Sequence, residues 1–362
     1  MMTTRVYFGG NLDFRAELSR ITSLTETKYI NSMGTFSIKT DYLPNNILVG
    51  DIIHTRGDDC QEYAGIITDV TIKSDSTGME AEIKGIELIG VLRDRIPIYF
   101  DAPIEFGSEY TEVIAKQLIY LTHIAPDYPK RQNPLVDTAG NHGYGKLQSF
   151  TADPEKSVLD NIYDVIKDER LGVTADLQLG VGGQIIIDVI QPVDHSTAGE
   201  RPVIISAKFD NLEYEQYLSS ISTQKNVAYY SLQGENETVT YGSVEADEST
   251  GRDRKERWIA ASQNNGLTTE QIISTIRMQL GNFKAVESIS GGYQPGGLYT
   301  LGIDFQLGDI VEYVGDYGSA TQQVIGYTQT LDSSGYTLSL LFGDNIQERI
   351  NQIRRITNGN RN

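Results

Sequence analysis

Four histidines, His54, His123, His142 and His195, and one cysteine, Cys60, are the side chains best suited to metal binding or nucleophilic chemistry. Zinc sites need such ligands at short fixed spacings, as in His-Glu-x-x-His or paired Cys-x-x-Cys. Here the closest two histidines are 19 residues apart (142 − 123), and no motif connects them. Cys60 sits in "RGDDCQEY", where acidic neighbours on both sides oppose the thiolate, so it reads as structural. A lone cysteine also excludes an intrachain disulfide framework. No Gly-x-Ser-x-Gly elbow is present. The stretches "GVGG" at 180–183 and "SGGYQPGG" at 290–297 lack the Lys-Ser/Thr of a phosphate loop and read as turns. Carboxylates are abundant, and a glycosidase pair is defined by distance rather than by sequence. Glycoside hydrolysis is therefore the enzymatic alternative; the expectation is no catalytic residue, no metal and no cofactor.

The residues whose spacing does repeat are glycine and aspartate. "GDIIHTRGDD" begins at Gly50 and "GDIVEYVGDY" at Gly308, an offset of 258 (308 − 50). The same offset pairs Asp51 with Asp309 and Gly85 with Gly343 (343 − 85 = 258), while "SDSTG" and "LDSSG" are one residue out of step. Glycine reaches φ > 0 and aspartate bonds neighbouring amides, so each copy reads as a turn that enters a strand and hairpin. Two readings stand: generic turn chemistry arising twice, or one β unit duplicated. Duplication has a geometric use, because three chains with two similar units each present six around one axis.

The elements around these turns are mostly strands. The 362 residues are enough for two or three domains, and 39% apolar with 22% charged residues fits a soluble globular protein. With 21 Tyr and 35 Gly, the composition favours strands and turns. The net charge of −19 argues against a protein that grips nucleic acid by its phosphates. The start lacks the apolar core of a signal peptide, and "IIIDVI" at 185–190 is too short to span a bilayer. The expectation is a soluble, cytosolically made protein with no stable membrane association.

The predicted fold is mainly β with α+β insertions, built on two similar small antiparallel β-barrels. Residues 1–98 form the first barrel, with a hairpin from "EYAGIITDVTIK" to "MEAEIKG", and 99–202 an inserted α+β domain. In that insert Ser108 would cap one helix. Asp153, with Pro154 at the first helical position, would cap a second, which buries Val158, Leu159, Ile162, Val165 and Ile166 and stops at Gly172. Residues 203–224 and 300–345 form the second barrel, and 225–299 a further α+β insert whose helix opens on a Thr268–Gln271 capping box. A helical tail at 346–362 either bundles about a three-fold axis or packs on its own barrel.

The segment 203–265 resembles siphovirus tail or baseplate hub proteins. The positions that carry the resemblance are Ser206, Phe209, Asp210, Asn211, Leu212, Tyr217, Lys225, Asn226 and Val227, then Gly251, Arg254, Glu256 and Trp258. The opening from "GTFSIKTDYL" to "RDRIPI" and the ending "LGDIVEYV…GYTQTLDSSGYTLSLLFGD" look like the same family. "VDHSTAGERP" departs from it. The resemblance implies a central hub related to gene-27-type hubs of contractile tails and to VgrG proteins. Such hubs are homotrimers that join a hexameric tail tube or distal tail protein to a tip spike or fibre, next to the tape-measure protein. They reside in the virion after assembly in the host bacterial cytoplasm, and DNA passes through without specific binding. The acidity then either lines the lumen, repelling phosphates, or simply aids solubility. A receptor- or carbohydrate-binding tail-tip protein is the alternative in another class. Trp258 and the many tyrosines read mainly as packing residues. Because the chain ends soon after its second Gly-Asp copy, no appended lysin domain is expected.

Overall fold

The computed structural model describes residues 2–343 except 59, 77, 200, 234–238, 260–268, 282, 295–297 and 317. The chain is mainly β. The N-terminal strands are β1 (Thr3–Tyr7), β2 (Phe14–Leu18), β3 (Ile21–Tyr29), β4 (Thr35–Thr40), β5 (Ile52–Arg56), β6 (Tyr63–Asp75) and β7 (Gly78–Glu87). Next come β8 (Ile98–Tyr99), β9 (Ala102–Pro103), β10 (Glu105–Tyr110), α1 (Thr111–Ile119), β11 (Val136–Thr138) and β12 (Leu147–Thr151). They are followed by α2 (Val158–Ile166), β13 (Gly172–Gln178), β14 (Gln184–Ile190), β15 (Asp194–His195), β16 (Ile204–Ser206) and β17 (Leu212–Ser220). The remainder is β18 (Val227–Gln233), β19 (Val239–Glu245), β20 (Glu256–Trp258), α3 (Thr269–Gly281), β21 (Val286–Tyr293), β22 (Ile310–Gly315), β23 (Gly318–Asp332) and β24 (Gly335–Gly343).

Two compact units result: Met1–Glu215 with Ser290–Phe342, and a smaller one built on Gln216–Ile289. In the larger unit an antiparallel path runs β24-β23-β3-β4-β7-β6-β5-β1-β2. The region expected as a first barrel and the region expected as a second thus share one sheet. β3 and β4 bridge them. No pairing joins the two ends of this path among the described residues. β22 pairs antiparallel with β23 and parallel with β15 and β16. The period-two pattern decides which side is buried: Phe36 and Ile38 of β4, and Ile185, Ile187 and Val189 of β14, all point inward.

Two cores support the larger unit. One gathers Val6, Leu24, Phe36, Ile53, Tyr63 and Ile83 within the N-terminal strands. The other packs Ile52 and Leu88–Leu92 against α1, α2, β13 and β14 through Ile114, Leu118, Ile162 and Ile187. Each fully buried Leu or Ile contributes roughly 1.5–3 kcal/mol. In the smaller unit, Ala228, Tyr230 and Val244 of the sheet β19-β18-β20 pack on Ile276 and Leu280 of α3.

Both helix starts in the first insert lie later than the sequence suggests. Ser108 belongs to β10, and α1 begins at Thr111 without a side-chain cap. α2 is capped by Ser157, whose Oγ accepts from the Asp160 N–H at 3.0 Å. Asp153 instead fixes the preceding turn, accepting from the Glu155 N–H at 3.0 Å. A hydroxyl directly before Val158 outcompetes a carboxylate five residues upstream. The buried stripe Val158, Leu159, Ile162, Val165 and Ile166 is as expected. The left-handed stop, however, falls on Arg170 at φ 56°, and Gly172 opens β13. Thr268 and the tail 346–362 lie outside the described residues.

Candidate functional site

Gly50 and Gly308 both take positive φ, 90° and 105°. Each is followed by a buried aspartate, Asp51 or Asp309. Asp51 Oδ2 accepts from the Leu48 N–H at 2.9 Å, and Asp309 Oδ2 accepts from the Gln306 N–H at 2.7 Å. The Gly50 N–H donates to the Ile67 carbonyl and the Gly308 N–H to the Val324 carbonyl, both at 2.8 Å. In return the Ile67 N–H donates to the Asp51 carbonyl at 2.8 Å, and the Val324 N–H to the Asp309 carbonyl at 2.9 Å. The two turns repeat bond for bond.

The hairpins behind them repeat pair for pair, with the offset reduced by one. Ile52 faces Ile66 and Ile310 faces Gln323, so the offset falls from 258 (310 − 52) to 257 (323 − 66). Ile67 pairs with Gly85 and Asp69 with Lys84, leaving Thr68 as a bulge. Val324 pairs with Phe342 and Gly326 with Leu341, leaving Ile325 as the matching bulge. Asp75 closes on Gly78 and Asp332 on Gly335. The overlay of Gly85 on Gly343 is therefore corrected: Phe342 occupies the ladder position of Gly85 (342 − 85 = 257). Gly85 lies inside β7, and a Cβ there would sit 2.0 Å from the Ile66 carbonyl oxygen and 2.4 Å from the Phe36 ring. Gly343 ends β24 at φ 76°. The shorter connection between β22 and β23, closed tightly at Gly315–Gly318, accounts for the lost residue.

Within the larger unit, the cross-strand pair Glu26–Gln329 of β3 and β23 forms a buried polar seam. Gln329 Nε2 donates to Glu26 Oε2 at 2.6 Å, and Thr55 Oγ1 donates to Glu26 Oε1 at 2.6 Å. The Gln61 N–H and the Tyr336 hydroxyl both donate to Gln329 Oε1 at 3.0 Å. Burial pushes the Glu26 carboxyl up to about 7. Glu87 is also pushed up by burial to about 7, with the Gly34 N–H donating to its Oε2 at 3.0 Å. The two carboxyls are close enough to raise the buried Tyr63 and Tyr327 hydroxyls further, after burial itself. None of these residues stood out in the sequence. The available signal was period two in "ITSLTETKY", which places Glu26 on the inward face with Leu24.

The remaining candidates are dispersed. His54 contacts Glu62 at 2.6 Å, His195 contacts Asp309 at 3.5 Å, and His142 stacks on Tyr144. Cys60 contacts the Gly57 carbonyl at 3.9 Å. Among the described residues no cluster of His, Cys, Asp and Glu is arranged to hold a metal ion. What the chain presents instead is a repeated β framework with a polar seam.

A sequence model of the family described as Siphovirus ReqiPepy6 Gp37-like protein matches residues 3–344. No curated protein sequence matches. The tail protein from Neisseria meningitidis MC58 is 15% identical at a TM-score of 0.55, over 95% of this chain and 97% of that one. The prophage MuSo2 43 kDa tail protein from Shewanella oneidensis is 13% identical at a TM-score of 0.58, over 94% and 98%. A chain of the Francisella PdpA-VgrG complex is 8% identical at a TM-score of 0.53, over 95% of this chain and 52% of that one. At such identities these likenesses show a shared fold.

Proposed function

The chain belongs to the Siphovirus ReqiPepy6 Gp37-like family of phage tail proteins, and from that premise we propose that it is the central hub of the tail tip or baseplate. Three copies surround the tail axis. Each contributes two wall segments, the β units after Gly50 and Gly308, in barrels spanning 1–98 and 203–224 with 300–345. Six equivalent segments match a hexameric tail tube or distal tail protein on one side, and the three-fold set matches a tip spike or fibre on the other. The tape-measure protein and then DNA occupy the channel, and an acidic chain lets DNA pass without gripping it. The role is structural rather than enzymatic, and the protein acts in the virion.

The observation that carries this reading is the bond-for-bond repetition of the Gly50–Asp51 and Gly308–Asp309 turns within one chain. Cryo-electron microscopy of intact tails tests it. Three copies around the axis, with both turns at one radius, are expected. Six copies, or the two turns at unrelated radii, would sink the proposal.

One observation favours a second reading, recognition of surface sugars. On the smaller unit Tyr241 is 73% and Trp258 50% exposed, with ring centroids 6.1 Å apart. Exposed paired rings suit sugar faces as well as protein partners. Trp258 is the single tryptophan, so its fluorescence reports binding directly. Saturable quenching by host wall fragments would support sugar recognition; an unchanged spectrum removes it.

A further inference from the structure

The two copies of the β unit differ at one place in their pairing. β23 has β24 along one edge; along the other it has β22 as far as Gln323 and then β3, from Gly326 opposite Tyr29 to Leu331 opposite Leu24. β6 has β7 along one edge, and along the other β5 between Tyr63 and Ile66. At the offset of 257, the counterparts of Gly326 and Leu331 are Asp69 and Ser74 (326 − 257 = 69 and 331 − 257 = 74). Among the described residues no strand pairs with that edge of β6. Burial records the difference. Gln329 is 0% exposed beside β3, whereas Ile72 in its place (329 − 257 = 72) is 56% exposed. An edge with unpaired backbone donors and acceptors and an exposed isoleucine is a template for another strand. Thr71 and Lys73 take the places of Thr328 and Thr330 on the opposite face, which the second copy leaves half-buried, so the lysine does not obstruct pairing.

Strand order identifies the missing partner. In the first copy β4 lies beside β7 and β3 beside β4; in the second β21 lies beside β24 and β17 beside β21. β17 is therefore the counterpart of β3. The larger unit takes in β17 as far as Glu215 and β21 from Ser290. There Tyr214 of β17, 52% exposed, has its hydroxyl 2.9 Å from Ser339 Oγ of β24. The outer edge of β3 is filled by β23, while the outer edge of β17 ends the sheet and carries no strand among the described residues. Each chain thus completes one junction internally, β3 on β23. It also holds the two halves of a second, β17 and the Asp69–Ser74 edge, which are not paired with each other.

We propose that the Asp69–Ser74 edge of one copy receives β17 of a second copy, antiparallel, as β23 receives β3 within the chain. The partner is this chain itself, and the contact buries Ile72. Because the two edges differ, the pairing runs head to tail and propagates from copy to copy until it closes. Closure at three copies rests on the hub reading; the choice of edges rests on the repeat.

The test is backbone hydrogen exchange, read by mass spectrometry on the full chain across a dilution series whose mass is followed by light scattering. On association the amides of 69–74 and of β17 should slow together, while those of 326–331 are slow throughout. Association that leaves either segment exchanging fast overturns the pairing and leaves the hub reading standing. A chain that stays a monomer also overturns the pairing, and the hub reading is then decided by microscopy of intact tails. Slowing at both edges in an open file of copies, rather than a closed set of three, upholds the pairing and overturns the hub. Ile72→Lys should weaken association about tenfold or more, because it puts an ammonium where the repeat buries an uncharged side chain. The matched change Val181→Lys, at a fully exposed position between β13 and β14, should leave association intact. Undiminished association of Ile72→Lys, or an equal loss in both variants, overturns the proposal. If Ile72→Lys does not fold, the exchange pattern of the unaltered chain decides.

Discussion

The first and second Gly-Asp units have the same backbone and different surroundings. In both, one carboxylate oxygen of the aspartate locks the turn by accepting from the residue three before it. The other oxygen differs. Asp51 Oδ1 faces Arg15 Nε at 3.1 Å, a side chain from β2. Asp309 Oδ1 accepts from the Val193 N–H at 2.8 Å, a backbone group from the segment leading into β15. The lesson is that the turn is the invariant part of the unit, and each copy's spare oxygen ties down whatever chain passes beside it.

The largest expected effect separates the two residues that the sequence overlay aligned. Gly85→Ala forces a Cβ against the Ile66 carbonyl and the Phe36 ring, inside a strand whose backbone is held on both sides. It should destabilise by about 4 kcal/mol or prevent folding. Gly343→Ala, at a strand end, incurs the positive-φ penalty of about 1–2 kcal/mol. Urea unfolding midpoints compare the two directly, and equal losses would restore the overlay that the ladder rejects.

Next in size is the difference between the aspartates. Asp309→Ala removes the acceptor of two backbone donors, of Gln306 and Val193. A cost of about 3 kcal/mol follows. Asp51→Ala strands one backbone donor and releases a partly exposed Arg15 that water can solvate, for about 2 kcal/mol. Thermal unfolding of both variants checks the order. A reversed order would mean that the Arg15 ion pair, rather than the backbone tether, dominates.

Much of this was legible in sequence. Gly-Asp-Ile with a fixed offset marked both turns, because positive φ and local capping restrict the residue types. The α2 stripe was legible because helical periodicity survives whatever caps it. The one-residue change of offset was not, since a shorter strand connection leaves no local signature. Nor was the Glu26–Gln329 seam, whose partners are 303 residues apart and meet only when β3 pairs with β23. The late helix starts had several hydroxyls and carboxylates competing as caps, and packing chose among them.

That seam gives the comparison a pH dependence. Glu26 and Glu87 ordinarily titrate near 4.5 and are raised to about 7 in the fold. A folded-state value above the unfolded one means that the folded chain binds the proton more tightly. The contribution of these two carboxyls to stability is therefore fully present below about 4.5, declines as pH rises, and levels off above about 7. The slope is at most about 1.4 kcal/mol per pH unit for each carboxyl. Glu26→Gln should flatten the decline between pH 5 and 7 by one carboxyl's share. An unchanged slope would place the proton uptake elsewhere.

The smallest effect probes the turns themselves. Gly50 and Gly308 share positive φ, so replacing either with alanine incurs the same backbone penalty of about 1–2 kcal/mol. They differ in what lies outside. A methyl on Gly50 enters open space, while one on Gly308 presses on Ile190 at 3.2 Å. The atom it meets is Cδ1 of Ile190, which must give way by a few tenths of an ångström. Gly308→Ala should therefore exceed Gly50→Ala by a few tenths of a kcal/mol, as overpacking adds to backbone strain. A double-denaturant comparison at matched protein concentration resolves such a gap. If Gly50→Ala proves the costlier, the region beside the first turn is filled in solution, and the asymmetry between the units lies in what each turn receives rather than in what it lacks.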